Sequence, residues 1–508
     1  MKTLRNRFLL IFNLINFTSS KLIFVSIDGF RYDYIQKYSE YLPTLCKLQE
    51  NSAFLANGVK NVFPTNTFPN HWSMATGLYP EDHGIVANNF YDRQLKKTFS
   101  MISEDVEFWK GSEPIWETAE KQNITSVVVH FPGHNIKGFE PTYVHESDIY
   151  KAALYSVTYL VDTVFHALNN ETNPAQFAML YIGEPDSSAH KFGADDEFVF
   201  QQFLNVDSGI RYLLEKLSAS DNLIITGDHG MVTVEKSLNF TKPEQFFDQK
   251  LVEKAIFDGP LLLVYAKQGK KMLLKAQLAD MKRKHPNIDW YTQDTIPQRW
   301  HFKGNKNRSP DILGITAYKS MWFSEEKNRK GMHGWDNKLP DMRPVFIGHG
   351  PGFRKNLEHN GTVEIVDMYP LIAHLIGLNY SNIRNVSGKL ENVMPLLTDG
   401  QSILRIWFEQ YIMQYPSYVL VAAGVLAVVT LLSCCYCCRI VFRTIGNRKS
   451  QNSVYKGGYF LSDMESASEM DDDDDELNDF PRSSKKKSSG GRMRKFSIGF
   501  GHPSSRDA

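Results

Sequence analysis

Three aspartates stand at or just beyond the ends of apolar, β-rich runs of the sequence. They are Asp28 after residues 22–27, Asp186 beyond residues 177–182 and Asp228 after residues 223–226. In an open α/β sheet the carboxyl ends of the strands form the binding crevice. The three carboxylates are therefore predicted to converge at one edge of a sheet.

Three histidines accompany these aspartates. His229 is adjacent to Asp228, and His190 follows Asp186 by four residues, a spacing that puts both side chains on one face of a helix. His333 stands in a glycine-rich turn. Aspartate and histidine are suitable ligands for zinc or another divalent transition metal, and six of them suffice for two ions. Two metals suit phosphoryl transfer because they stabilise both the attacking oxygen and the phosphate charge.

A candidate nucleophile lies in the segment Phe-Pro-Thr-Asn-Thr-Phe-Pro-Asn-His, residues 63–71, just before a helical pattern. A threonine hydroxyl is a poor nucleophile at neutral pH unless a metal or a base lowers its pKa. At a helix N-terminus it would also stand beside backbone amides that can bind phosphate. The local sequence leaves open that Thr67 only caps the helix.

The elements that must position these residues alternate between strand and helix. The predicted strands are 22–27, 127–130, 177–182, 223–226 and 345–347, and the predicted flanking helices are 196–217 and 366–378. This alternation predicts an α/β domain around a mostly parallel sheet. With 508 residues, 42% hydrophobic and 22% charged, the chain has the composition of a globular protein. Lys+Arg and Asp+Glu balance at 57 each, so no net positive charge points to nucleic acid as a partner.

Two apolar segments outside this domain predict a membrane-anchored protein. Residues 1–20 have a basic start, an apolar run and small polar residues, the order of a secretory signal peptide. Residues 418–438 carry no charged side chain and match the roughly 20 residues that a bilayer requires. Basic residues follow that segment, which favours the cytoplasmic side for the C-terminus. The predicted organisation is signal peptide 1–20, extracellular domain 21–398, stalk 399–417, transmembrane helix 418–438 and disordered cytoplasmic tail 439–508.

Glycosylation signals agree with this topology, because Asn-X-Ser/Thr is modified only on the lumenal side. None of them follows the predicted span. The candidate positions are Asn123, Asn170, Asn239, Asn307, Asn360, Asn379 and Asn385. The protein is accordingly expected in the cell membrane as a single-pass type I protein with its large domain outside.

Seven motifs together resemble the ectonucleotide pyrophosphatase/phosphodiesterase family. They are Asp28-Gly29-Phe30-Arg31, Thr67-Phe68-Pro69-Asn70-His71, Thr76-Gly77-Leu78-Tyr79-Pro80, His83-Gly84-Ile85, Glu184-Pro185-Asp186-Ser187-Ser188-Ala189-His190, Asp228-His229-Gly230-Met231 and His333-Gly334. They run in order from about Leu22 to Leu378, and the joint pattern is highly specific. The resemblance is to the short, single-span members, and it implies an alkaline-phosphatase-like fold with two zinc ions.

The resemblance also implies a role for each matched residue. Thr67 is then the nucleophile, chosen over Thr65 because it directly precedes Phe-Pro-Asn-His. Asn88 is implied to hydrogen-bond a phosphate oxygen, and the rings of Phe68 and Tyr143 to stack on a base. One zinc would be held by Asp28, Thr67, Asp228 and His229, and the other by Asp186, His190 and His333.

The implied reaction is hydrolysis of phosphodiester or pyrophosphate bonds in extracellular nucleotides or dinucleotides through a phosphothreonine, releasing a nucleoside monophosphate. Asn66 replaces a lysine often found in the family, which bears on substrate preference. Two alternatives remain open from the sequence. One is a choline-phosphodiester, lysophospholipid or sphingomyelin phosphodiesterase with the same metal core. The other is a catalytically silent surface receptor, which would be expected to have lost Thr67 or a metal ligand.

Overall fold

A central sheet of eight strands is built around the first predicted strand, residues 22–27. The computed structural model of the protein describes residues 20–145, 153–238, 240, 242–322 and 329–398. The central strands are β1 (Leu22–Ile27), β2 (Ala53–Leu55), β5 (Ser126–Val129), β6 (Tyr143–His145), β7 (Phe177–Ile182), β8 (Asn222–Thr226), β17 (Phe346–His349) and β18 (Leu357–His359). Between β2 and β5 lies the hairpin of β3 (Phe90–Asp92) and β4 (Lys97–Phe99).

The strand order of the sheet is β18-β2-β17-β8-β1-β7-β5-β6. β1 pairs in parallel with both β7 and β8, and the β7–β5 and β5–β6 pairs are parallel as well. β17 runs antiparallel to β8 and β2. The predicted mostly parallel α/β sheet is thus confirmed. The predicted strand at 345–347 exists as β17 but runs in the opposite direction to its neighbours.

Both faces of the sheet are covered. Along β1, Leu22 and Phe24 join one hydrophobic cluster, whereas Ile23, Val25 and Ile27 join another, because successive strand side chains point to opposite faces. Every residue of β1 is buried, as expected of a parallel strand between two helical layers.

The helices of the described residues include both predicted ones. They are α1 (Tyr34–Lys37), α2 (Pro43–Glu50), α3 (Thr67–Thr76), α4 (Pro80–His83), α5 (Ile115–Lys121), α6 (Val157–Leu168), α7 (Asp186–Phe192), α8 (Glu197–Lys216), α9 (Lys271–Ala276), α10 (Leu278–Lys284), α11 (Met368–Leu375) and α12 (Leu390–Val393). α8 begins where the Asp196 carboxylate accepts the Phe198 N–H, a standard N-cap. The predicted helix 366–378 is divided into a 3-10 turn, Ile365–Asp367, and α11.

A second, antiparallel sheet of four strands follows β8 in the chain and was not predicted. Its strands are β11 (Val252–Asp258), β12 (Leu261–Ala266), β13 (Ile288–Thr292) and β14 (Ile312–Thr316), in the order β11-β12-β14-β13. Shorter pairs link this region to the rest: β9 (Val232–Thr233) with β16 (Gly331–Met332), and β10 (Lys236–Leu238) with β15 (Ser320–Trp322). The second sheet has a hydrophobic cluster of its own, which includes Leu262, Val264 and Trp290.

Several sequence predictions lie outside the described residues: the signal peptide up to residue 19, the stalk, the span at 418–438, the tail and the sequon at Asn239. Among the helices that the structure describes, none has the length and apolar character needed to cross a bilayer. Of the other sequons, five asparagines are exposed and Asn170 is half-buried. Their glycosylation stays a prediction.

Candidate active site

Four atoms of metal-ligand type converge at the carboxyl ends of β1 and β8. His229 Nε2 lies 3.3 Å from Asp28 Oδ1, 3.1 Å from Asp228 Oδ2 and 3.3 Å from Thr67 Oγ1. In a tetrahedral zinc site with ligands at about 2.0–2.1 Å, neighbouring ligand atoms are about 3.3 Å apart. The three atoms that face His229 Nε2 therefore lie at the distance from it expected of neighbouring zinc ligands.

A second cluster lies beside the first, on α7 and the loop after β16. Asp186 Oδ2 is 3.3 Å from His190 Nε2, and His333 Nε2 is 3.2 Å from His190 Nε2 and 3.6 Å from Asp186 Oδ1. The rings of His229 and His333 stack with centroids 3.5 Å apart, which joins the two clusters. Adjacent ligand sets of this kind suit two ions a few ångströms apart.

The three histidines of these clusters are held in the tautomer that metal binding requires. In each, Nδ1 faces a main-chain carbonyl, which can only accept, so Nδ1 carries the proton and Nε2 offers a lone pair. The pairs are His190 with Gly331 O at 2.8 Å, His229 with Gly230 O at 2.9 Å and His333 with Thr65 O at 2.8 Å. Two Nε2 lone pairs 3.2 Å apart repel each other unless a cation or a donor lies between them.

Buried carboxylate oxygens in the clusters lack hydrogen-bond partners within the described part of the chain. They are Asp28 Oδ1, Asp186 Oδ1 and Asp228 Oδ2. Burial, and then repulsion from a neighbouring carboxylate, raises the pKa of each of these acids well above its ordinary value. Burial likewise lowers the pKa of His229, and that of His333 to about 3, so the imidazoles are neutral. Divalent cations would relieve all of these costs at once, and the residues present therefore fit the implied metals.

Thr67 is the first residue of α3. The preceding residue, Asn66, holds the capping position with extended backbone and makes no side-chain bond to the helix. The capping role considered for Thr67 is therefore not the one it has. Its hydroxyl instead faces His229 and lines the cavity, and the N-terminal end of α3 supplies backbone amides nearby.

A cavity of about 330 Å³ opens over both clusters. Its polar wall includes Asn66, Thr67, Asn88 and Asn89. Its apolar wall is formed by side chains that the sequence did not single out: Met101, Phe257, Met321, Trp322 and Met332. The size and mixed lining are those of a small-molecule site.

Asn88 lies in the cavity wall next to Thr67. Its Oδ1 accepts the N–H of Phe68 at 2.8 Å, next to Thr67. With Oδ1 engaged in this way, the Nδ2 group is the part of Asn88 that can donate to a ligand.

The two predicted base-stacking rings are not brought to the cavity wall. Phe68 is buried, with its ring edge-on to Phe99, because a helix turns about 100° per residue and carries this side chain away from the direction of Thr67. Tyr143 lies on β6 near the sheet edge, and its hydroxyl donates to Asn173 O at 2.7 Å. The aromatic residues that do line the cavity are Tyr181, Phe257 and Trp322.

Other site residues were missed by sequence reasoning. The hydroxyl of Tyr181 donates to Asp28 Oδ2, and Arg329 Nη1 lies 3.2 Å from His190 Nε2. Asp258 accepts three N–H groups beside Thr67. The Asp-Gly-Pro sequence at 258–260 indicates a turn, but nothing local indicates that this turn reaches a motif almost 200 residues earlier.

Comparison with known proteins gives one consistent result. Residues 22–336 match the family model described as type I phosphodiesterase / nucleotide pyrophosphatase. The chain is 32% identical to human bis(5'-adenosyl)-triphosphatase ENPP4 over 428 residues, 82% of this chain and 88% of that protein.

Solved structures agree with the sequence matches. The structure of murine ectonucleotide pyrophosphatase/phosphodiesterase 5 has a TM-score of 0.66 and 30% identity, covering 75% of this chain and all of that one. An inactive variant of the same murine protein, solved in complex with AMP, matches equally well. The implied alkaline-phosphatase-like fold of the domain is confirmed by these structures.

Proposed function

Because this chain belongs to the ectonucleotide pyrophosphatase/phosphodiesterase family, we propose that it hydrolyses phosphodiester or pyrophosphate bonds of nucleotides or dinucleotides through a phosphothreonine formed on Thr67. The observation that carries the proposal is the convergence of Thr67 Oγ1, Asp28 Oδ1 and Asp228 Oδ2 on His229 Nε2 at 3.1–3.3 Å. Each of these atoms is buried beside a cavity that has room for a phosphate ester.

The names of the relatives support the nucleotide class. Human ENPP4 is named for splitting a dinucleoside polyphosphate, and the inactive murine variant was solved with AMP. We infer that this chain transfers the nucleoside monophosphate portion of its substrate to Thr67 and releases it as the product. The leaving group is the remaining nucleotide or polyphosphate.

Two zinc ions bound by the clusters would lower the pKa of the Thr67 hydroxyl and offset the negative charge of the phosphate. The oxygen of Thr67, having lost its proton, attacks phosphorus, and the bond from phosphorus to the leaving oxygen breaks in line. Asn88 donates to a non-bridging oxygen and, with the amides at the start of α3, holds the phosphate during attack. A water then attacks phosphorus, so that its oxygen bonds to phosphorus as the bond from phosphorus to Thr67 Oγ1 breaks. A proton from this water goes to the threonine oxygen, and the nucleoside monophosphate leaves.

We also propose that the reaction takes place outside the cell, on a protein held by its C-terminal span. The signal-like residues 1–20 and the apolar segment 418–438 support this location. The surface position of the described sequons is compatible with it, since each asparagine is exposed or half-buried.

The test uses the full chain, loaded with zinc, and a panel of diadenosine triphosphate, ATP, NAD and choline phosphodiesters, with products resolved by chromatography. Release of a nucleoside monophosphate is expected. Phosphocholine as the only product would indicate the alternative function, a choline-phosphodiester, lysophospholipid or sphingomyelin phosphodiesterase. No product at all would favour a catalytically silent receptor.

The nucleophile is tested in the same assay by Thr67→Ala. We expect it to abolish turnover, a loss of at least about 1,000-fold, with folding intact. The matched control is Thr76→Ala, a buried threonine at the other end of α3 whose hydroxyl bonds to Trp72 O at 2.6 Å, outside the cavity. A fully active Thr67→Ala enzyme would exclude the phosphothreonine.

A further inference from the structure

The hairpin formed by β11 and β12 ends against the catalytic cavity. Asp258 closes β11, and Gly259 follows in the turn with φ of 59°. A Cβ at Gly259 would lie 2.8 Å from Met332 Cε and 3.4 Å from His333 O, so the turn packs on the loop that carries a predicted metal ligand. The second sheet thus contributes directly to the site of the first.

Asp258 is buried at this tip and accepts three hydrogen bonds from the polar wall of the cavity. Oδ2 accepts Asn66 Nδ2 at 2.6 Å and the main-chain N–H of Asn88 at 3.0 Å, and Oδ1 accepts Asn89 Nδ2 at 2.9 Å. Even with these donors, burial raises the pKa of Asp258 to about 6. A buried charge of this cost is kept where function, rather than stability, requires it.

The residues held by Asp258 lie on both sides of Thr67. Asn66 precedes it, and the Oδ1 of Asn66 has no partner in the described chain, so Asp258 is what orients this amide. On the other side, Asn88 connects to the Phe68 N–H through its own side chain. A shift of Asp258 would therefore be transmitted to the residue before Thr67 and, through Asn88, to the residue after it.

We propose that Asp258 is a positioning residue for phosphoryl transfer, fixing Asn66 and Asn88 around Thr67. This inference rests on the function proposed above. A carboxylate suits the role because both of its oxygens only accept, whereas an asparagine would direct an NH₂ group at one of the three donors. Positioning errors of about 1 Å cost up to about 100-fold in rate.

The first experiment compares kcat and KM of the zinc-loaded full chain with the p-nitrophenyl ester of thymidine 5'-monophosphate. Asp258→Asn is expected to lower kcat by about 10- to 100-fold while KM changes less than about threefold. The matched control is Asp207→Asn, which removes another buried carboxylate that accepts main-chain N–H groups, those of Thr44 and Leu45, away from the cavity. Its kcat is expected to stay at the wild-type level. An Asp258→Asn enzyme with wild-type kcat would overturn the inference.

A double-mutant cycle separates positioning from general destabilisation. If Asp258 acts in part through Asn88, then Asp258→Asn lowers kcat by a smaller factor in the Asn88→Ala background than in the wild type, because the contact between Asn88 and Phe68 is already lost. Full multiplication of the two losses would overturn the inference. If Asp258→Asn does not fold, Asn66→Ala removes the partner instead; a fall in kcat of about tenfold supports the inference, and an unchanged kcat refutes it.

The outcome for the wild-type enzyme distinguishes the two proposals. A wild-type chain that hydrolyses no nucleotide ester overturns the proposed function and this inference with it. An active wild type with an equally active Asp258→Asn variant overturns this inference alone.

Discussion

The aspartates of the two clusters carry an electrostatic cost that their own neighbours do not relieve. Asp28 and Asp228 face the same imidazole, and Asp186 faces two others, yet each acid keeps a buried oxygen without a hydrogen bond within the described chain. Their raised pKa values express this cost: burial and mutual repulsion oppose ionisation. The cost is understandable if the site exists to hold cations.

Asp186→Asn is predicted to separate stability from function. Replacing this buried carboxyl should raise the stability of the metal-free protein, since the cost of burying the charge and the repulsion from Asp28 both disappear, while activity with zinc falls at least about 100-fold. Thermal unfolding in chelator and turnover with zinc measure the two effects. Asp207→Asn should do the reverse, lowering stability and sparing activity. An Asp186→Asn protein that is both less stable in chelator and fully active would contradict the role of Asp186 as a metal ligand.

At the level of elements, the site depends on short segments that approach one another closely. α7 carries Asp186 and His190, whereas His333 follows β16. The two segments meet at Gly331, where a Cβ would lie 2.1 Å from the Ala189 carbonyl oxygen. Ala189 belongs to α7, the helix that carries the predicted ligands Asp186 and His190. Glycine is therefore required at position 331 because β16 passes so close to α7, and not because of an unusual φ.

Gly331→Ala is predicted to push α7 away from β16 and to spread the second cluster. Because ligand positions have to hold within a few tenths of an ångström, we expect the second metal to bind at least about tenfold more weakly and activity to fall in parallel. Zinc content after dialysis, together with turnover, measures this. The control is Gly111→Ala, whose Cβ would meet its nearest atom at an ordinary 3.4 Å. Full zinc content in Gly331→Ala would show that the approach is less critical than the geometry indicates.

At the scale of the molecule, the sheet brings together ligands that are far apart in the chain. β1 lies between β7 and β8, so their carboxyl ends place residues 28, 186 and 228 at one edge. The hydrophobic clusters on the two faces fix these strands, and the second sheet adds the tip at Asp258. Metal binding is therefore expected to be coupled to the stability of the domain.

The stabilisation by zinc is predicted to grow with pH. In the metal-free protein the folded-state pKa values of Asp28, Asp186 and Asp228 are raised, so the folded state binds more protons than the unfolded state above about pH 4. The contribution of these three carboxyls to the stability of the metal-free protein consequently falls as pH rises through the window from their unfolded to their folded pKa values. Bound zinc would hold these carboxylates in the ionised form and remove this loss. The zinc-dependent shift in melting temperature should increase between pH 5 and pH 8, and a shift that falls with pH would contradict this.

The sequence predicted the positions of the metal-ligand residues better than those of the substrate contacts. The ligand-type residues follow strand ends or share a helical face, and these local rules placed Asp28, Asp186, His190, Asp228 and His229 correctly relative to their elements. The stacking role of Phe68 and Tyr143 depended on side-chain direction, and neither ring reaches the cavity. Direction is set by helix phase and strand position at specific residues, which a motif match does not report.

The class of fold and the types of residue available for chemistry follow from the sequence, because buried parallel strands and their terminal aspartates leave a local pattern. Which atoms meet is set by the folding of distant segments onto one another. The examples are the 3.1–3.3 Å spacing around His229, the antiparallel direction of β17 and the hydrogen bonds of Asp258 in the cavity wall beside Thr67. Apart from the neighbours Asp228 and His229, these contacts join residues separated by more than 100 positions in the chain. They depend on strand order and on packing between two sheets, and no local interaction encodes either.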